Sequence, residues 1–121
     1  MISEGQIVLF RFPQTDQKDG KLRPALILRK LPGKFDYWLI CMISSQLHQA
    51  IPELDEIINL GDSDFQQTGL KHPSLIRASR LAVVDEDILI GKLGTIDAPR
   101  LNKIRDNISK WLQNRQSNPS A

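Results

Sequence analysis

Lys21–Lys30, KLRPALILRK, and Leu39–Gln46, LICMISSQ, are the two stretches whose reading decides the fold. Each is an apolar, branched run with the length of a buried strand, and each is bounded by polar groups. Arg23 opens the first run and Ser44 closes the second. Antiparallel pairing through the connection around Leu31–Tyr37 lays the start of one run beside the end of the other. A guanidinium and a hydroxyl then converge at one mouth of the fold, where a phosphodiester could be held.

Upstream, Gly5–Phe12, GQIVLFRF, is a β-branched and aromatic run stopped by Pro13, which cannot continue a central strand. It reads as the first strand, followed by a polar loop, Gln14–Lys21, with a turn at Asp19-Gly20. Pro24 stands at the entrance of the second run, where the missing amide proton costs least, and it biases Arg23 towards an extended backbone. Pro32-Gly33 breaks the chain before the third run, Tyr37–Ile43.

Downstream, Glu53–Leu60 reads equally as a strand with an acidic outer face or a short helix, and Phe65–Gly69 as a helical turn ending at glycine. Ser74–Ile76 and Ser79–Val84 read as short strands separated by a polar break at Arg77–Ser79. Ile88–Ile96, ILIGKLGTI, supplies a further strand whose two glycines permit a bulge or tight curvature. Several short strands without helical crossovers predict a mainly β (α+β) fold, a small barrel rather than a parallel sheet. The last element is a helix: Asp97 caps it, Pro99 lies in its first turn, and Leu101, Ile104, Ile108, Trp111 and Leu112 form the face that packs on the barrel. Arg105, Lys110 and Arg115 read as solvent-side charges. The whole reads as one domain over residues 1–115, with a frayed tail at 116–121.

The chain has 121 residues, enough to bury about two-thirds of the surface its unfolded form exposes. Its lone cysteine, Cys41, lies in an apolar run and excludes a disulfide framework within one chain. No stretch approaches the ~20 apolar residues of a membrane span, and the N-terminus lacks the pattern of a signal peptide, so a cytoplasmic protein is expected. The net charge is only +2, but it is unevenly spread. Residues 1–36 hold seven basic and four acidic side chains, residues 53–64 hold five acidic and no basic ones, and Lys71, Arg77 and Arg80 make the next block basic. The first and third blocks together could assemble a cationic patch; a solvated mixed surface reads as well from charge alone.

No metal is expected, because a two-cysteine zinc site is impossible within one chain, His48 and His72 lie far apart, and residues 53–64 lack the pattern of a calcium loop. No glycine-rich phosphate loop or nucleophile elbow occurs, and no cofactor is implied. RNA is the substrate that asks least of such a site, since its own 2′-hydroxyl can be the nucleophile. Arg23 suits stabilisation of the phosphorane, and with a pKa above ~12 it is a poor general base. Taken singly, Arg23 also reads as a strand-edge arginine in a surface ion pair, Ser44 as a hydroxyl bonded to its own backbone, and Arg77 as a partner of the acidic block.

The ordered signals GQIVLFRFPQTD, KLRPALIL, LICMISSQ, TGLKHPSLIRASRL and IGKLGTID before a helix resemble the PemK/MazF family of toxin components of bacterial toxin–antitoxin systems. The likeness runs over most of residues 5–112, with the Arg-Pro opening of a hydrophobic strand its sharpest point. It implies an SH3-like barrel with a C-terminal helix, a homodimer, and a metal-independent, sequence-selective endoribonuclease that leaves a cyclic phosphate and a 5′-hydroxyl, inhibits growth, and is silenced by a cognate antitoxin. Carried over by position, it makes Arg23, Ser44 and Arg77 the catalytic candidates. Thr15, Lys21, Ser45, Gln46 and Lys71 are the candidates for contacts to single-stranded RNA. The acidic residue that some relatives carry two positions after the later arginine is Ser79 here, and the first loop has no histidine. Those departures favour the competing class, a non-catalytic barrel of the same fold that binds a protein such as a topoisomerase, or RNA, whereas the retained Arg23 and Ser44 favour the nuclease.

Overall fold

The structure is a computed structural model and describes residues 2–11 and 21–114. Six strands form one antiparallel sheet: β1 (Gln6–Arg11), β2 (Leu22–Lys30), β3 (Tyr37–Ser44), β4 (Glu56–Ile58), β5 (Ser74–Asp85) and β6 (Leu89–Thr95). Their order is β4-β5-β3-β2-β1-β6, so β4 and β6 remain edges and the sheet is bent into an open, barrel-like form. One helix, α1 (Ala98–Leu112), follows.

β1, β2 and β3 read as nearly continuous apolar runs because both faces of the sheet are covered there. One face carries Ile7, Leu26, Leu28, Cys41, Ile43 and Ile76, packed under Leu101, Ile104 and Ile108 of α1. The other carries a second, smaller core of Val8, Phe10, Ala25, Ile27, Trp38 and Ile40, against which Ala82, Val84 and Leu89 fold as the sheet curls. Cys41 is fully buried in the first core, and that burial, helped by the charge of Asp55, pushes its thiol well above the usual range.

The curl depends on β6, which shifts register twice against β1, between Ile7 and Val8 and between Leu9 and Phe10. Gly91 and Gly94 pair across from Leu9 and Ile7, so both glycines sit at these irregularities. The turn Gln66–Thr68, ended by Gly69 in the left-handed region at φ 75°, lies on β6.

Two boundaries differ from the sequence expectation. Residues 74–85 form one strand rather than two, because the register on β3 jumps from Met42↔Arg77 to Cys41↔Leu81 and residues 78–80 bulge out without ending the strand. The amide of Ser79 finds an acceptor in Asp55 Oδ1 at 2.9 Å, so the polar break is a satisfied bulge. Of the stretch that read as strand or helix, only Glu56–Ile58 is a strand.

Asp97 caps α1, its Oδ1 accepting from the Arg100 amide at 2.9 Å. The packed face ends at Ile108: Trp111 and Leu112 are exposed, with Trp111 facing an open groove that Ala78, Ser79 and Leu81 of β5 also line. Lys110 pairs with Asp106 on the helix surface. Arg105 is not simply a solvent-side charge, since its guanidinium donates to the Leu28 carbonyl at 2.7 Å and pairs with Glu4, pinning α1 to β2. Arg115 and the tail lie outside the described residues.

Arg100 anchors the other flank of α1. Its guanidinium pairs with Asp64 at 2.9 Å, Asp62 at 2.9 Å and Glu56 at 3.4 Å, drawing the acidic block onto the helix. Burial alone would raise the Asp64 carboxyl, but the Arg100 hydrogen bond and charge, with the Asp97 amide, outweigh it and hold the pKa below the usual value. A carboxyl depressed by folding contributes stability above its unfolded pKa near ~3.9 and loses it as pH falls through the lower folded value. Asp64→Asn is therefore expected to lower the urea midpoint at pH 7, with the gap to the parent narrowing below about pH 4. A gap independent of pH would contradict this origin.

Candidate functional site

The register places the two lead residues together. β2 and β3 pair as Ala25↔Met42, Leu26↔Cys41 and Ile27↔Ile40, so Arg23, two residues before Ala25, and Ser44, two residues after Met42, lie at neighbouring strand ends. On the far side of β3, Ser44 pairs with Leu75 and Met42 with Arg77. Directly opposed residues share a face. Arg23, Ser44 and Arg77 thus lie on the face of Ala25 and Met42, at the end of the smaller core where β2 and β5 begin and β3 ends.

Arg23 is exposed and follows Leu22 at the start of β2, with Pro24 next to it. Among the described residues no carboxylate pairs with it. Ser44 is half-buried, and its Oγ accepts from the Gln46 amide at 3.0 Å. The backbone-bonded hydroxyl expected of a strand end is present, and that contact leaves the hydroxyl proton free to donate.

Arg77 is partly buried on β5 and does not pair with the acidic block. It donates instead from an Nη to Gln49 Oε1 at 2.8 Å, while its buried Nε has no hydrogen-bond partner among the described residues. Gln49 ends the short 3₁₀ turn Leu47–Gln49 that follows Ser44, and sequence reasoning missed it. No local signal marks it, because its partner is 28 residues away.

Lys21, Ser45, Gln46 and Lys71 are exposed and lie at the same end of the sheet, beside the start of β2, the end of β3 and the approach to β5. Thr15 belongs to the first loop and lies outside the described residues. His48 and His72 are exposed in the connections 47–49 and 71–73. A carboxylate does reach Ser79, though from elsewhere in the chain. Asp55, 9% exposed, accepts from the Ser79 amide and from its Oγ at 3.2 Å, and its Oδ2 also takes the Ile51 amide at 2.9 Å. With each oxygen engaged, its role there is to fix the bulge beside Arg77.

Chemically, the end of the sheet offers two guanidinium forks and one hydroxyl on a single face, with further cations around it. Forked donors suit phosphate oxygens. Among the described residues no three His, Cys, Asp or Glu side chains stand together as a ligand set for a metal.

Comparison with known proteins gives the family directly. Residues 3–112 match the family described as PemK-like, MazF-like toxin of type II toxin-antitoxin system. No curated relative matches the chain by sequence. Among solved structures the chain is similar to the Mycobacterium tuberculosis toxin MazF-mt6, at TM-score 0.65 and 16% identity, over 89% of this chain and 96% of that one. It is also similar to an endoribonuclease solved in complex with its cognate antitoxin, from a mycobacterial species, at TM-score 0.61 and 17% identity, over 93% of this chain and 96% of that one. At such identities the likeness concerns the fold.

Proposed function

Because the chain belongs to the PemK-like, MazF-like toxin family of type II toxin–antitoxin systems, we propose that it is a metal-independent endoribonuclease that cuts single-stranded RNA. The observation that carries this reading is the common face of Arg23, Ser44 and Arg77 at one end of the sheet. A neighbour of the same fold is itself named as an endoribonuclease, which supports it.

The RNA supplies the nucleophile. Its 2′-oxygen attacks phosphorus, the bond to the 5′-oxygen breaks, the 2′-proton is lost and the 5′-oxygen gains one, leaving a 2′,3′-cyclic phosphate and a 5′-hydroxyl. Negative charge grows on the non-bridging oxygens at the phosphorane, so donors fixed beforehand at those oxygens lower the barrier most. Arg23 supplies a charged fork unshared with any described carboxylate, and Arg77 supplies a second. Ser44, held by the Gln46 amide, donates its hydroxyl proton to the same phosphate. Lys21, Ser45, Gln46, Thr15 and Lys71 hold the flanking nucleotides.

The proposed partners follow from the same surface. A cognate antitoxin is a proposed partner, supported by the neighbour solved in complex with its own antitoxin, and covering this end of the sheet is how it would silence the protein. Self-association as a homodimer is supported by exposed Leu81, Val83 and Trp111 beside an open, largely apolar groove of about 670 Å³. No helix among the described residues is long and apolar enough to cross a membrane, and the proposed site of action is the cytoplasm.

Purified protein incubated with a long single-stranded RNA is expected to release fragments ending in 2′,3′-cyclic phosphate and 5′-hydroxyl, at an unchanged rate in EDTA. Loss of cleavage in EDTA, restored by a divalent ion, would place a metal in the reaction. Binding that weakens steeply with salt and yields no fragments would identify a binding module instead.

A further inference from the structure

We infer that Gln49 is a positioning residue for Arg77, holding the guanidinium on the face of Arg23 and Ser44 without neutralising it. The inference rests on the reading of that face as a phosphodiester site and adds a residue to it. The contact is a 2.8 Å hydrogen bond from an Arg77 Nη to the side-chain carbonyl of Gln49. A carboxylate in that place would hold the fork as firmly but cancel its charge; an amide oxygen holds it and leaves the charge whole.

Four acids of the 53–64 block are engaged elsewhere. Asp55 is bonded to Ser79 and Ile51, while Glu56, Asp62 and Asp64 are gathered on Arg100. Among the described residues no carboxylate pairs with Arg77, so its positive charge is not shared with any of them. Its buried Nε carries an N–H with no partner among the described residues, a costly state for a desolvated donor.

The placement of Gln49 ties the two sides of the site together. The turn Leu47–Gln49 begins three residues after Ser44, so one short segment carries the hydroxyl at its start and the holder of Arg77 at its end. Fixing one arm of the guanidinium restricts rotation of a long side chain before RNA arrives. The ordering cost at the transition state is thereby reduced.

The experiment is a double-mutant cycle on RNA cleavage with Gln49→Leu and Arg77→Ala, accompanied by thermal melts. Gln49 is exposed, so the melting midpoint of Gln49→Leu is expected to stay within about 2 °C of the parent's. Its kcat is expected to fall about tenfold with KM changed less than about twofold, because the fork acts on charge that develops in the transition state. In the Arg77→Ala background the same substitution is expected to change nothing further.

A parent enzyme that cleaves and a Gln49→Leu variant that matches it would overturn the inference and leave the nuclease reading standing. An equal loss in both backgrounds, or a rise in KM at constant kcat, would also overturn it, since Gln49 would then act independently of Arg77. Absence of product from the parent protein would overturn the nuclease reading and this inference with it.

Discussion

Arg23→Ala is expected to lower RNA cleavage by at least about 100-fold, the scale on which removal of a preorganised donor to a developing oxyanion is felt. Little stability should be lost with it. Arg23 is exposed and makes no ion pair among the described residues, so its removal leaves no buried group stranded. The thermal midpoint should stay within about 2 °C. Arg23→Lys keeps the charge but not the planar fork and should recover only part of the rate. The readouts are single-turnover cleavage of a defined RNA, a melt, and growth inhibition on expression. A folded Arg23→Ala variant with full activity would remove Arg23 from the mechanism.

Gly94→Ala is expected to damage the fold severely. A Cβ at residue 94 would stand 2.2 Å from the Gln67 carbonyl oxygen and 2.5 Å from the Thr68 carbonyl carbon. These are backbone atoms and cannot swing aside. The turn cannot easily retreat either: Thr68 is fully buried, and Gln67 donates to Thr95 Oγ1 at 3.2 Å. Gly69 meets the same contact from the other side, where a Cβ would come within 2.4 Å of the Leu93 carbonyl oxygen. Relief requires separating the turn from β6, opening the edge that shapes the curl.

The expected loss is about 3 kcal/mol or more, a large share of the ~5–15 kcal/mol by which such domains are stable. Gly91→Ala is the control, because a Cβ there meets nothing within 4 Å. It should cost about 1 kcal/mol or less. Urea unfolding of the three proteins decides the matter, and equal losses at both glycines would show that close backbone approach is not the cause.

Several features were legible in the sequence because they are local. Branched apolar runs marked β1, β2 and β3, Asp97 and Pro99 marked the start of α1, and Gly69 marked the end of its turn. The antiparallel pairing of β2 with β3, which brings the start of one to the end of the other, was legible too, since a hairpin links the ends of its two strands by counting alone.

Other features depended on how separate elements come to rest against one another. A polar triplet looked like the end of a strand because the carboxylate that satisfies it, on Asp55, lies 24 residues away. Arg77 looked like a partner for acids, but Arg100 holds three of them on the helix flank and Gln49 takes the arginine. Trp111 and Leu112 continued the apolar spacing of α1, but an open groove rather than a packed contact lies beside Trp111. Periodicity and turn chemistry act within a few residues and so determined the elements; which side chains meet across the molecule was decided by packing, where volume and charge from distant segments compete for the same neighbours.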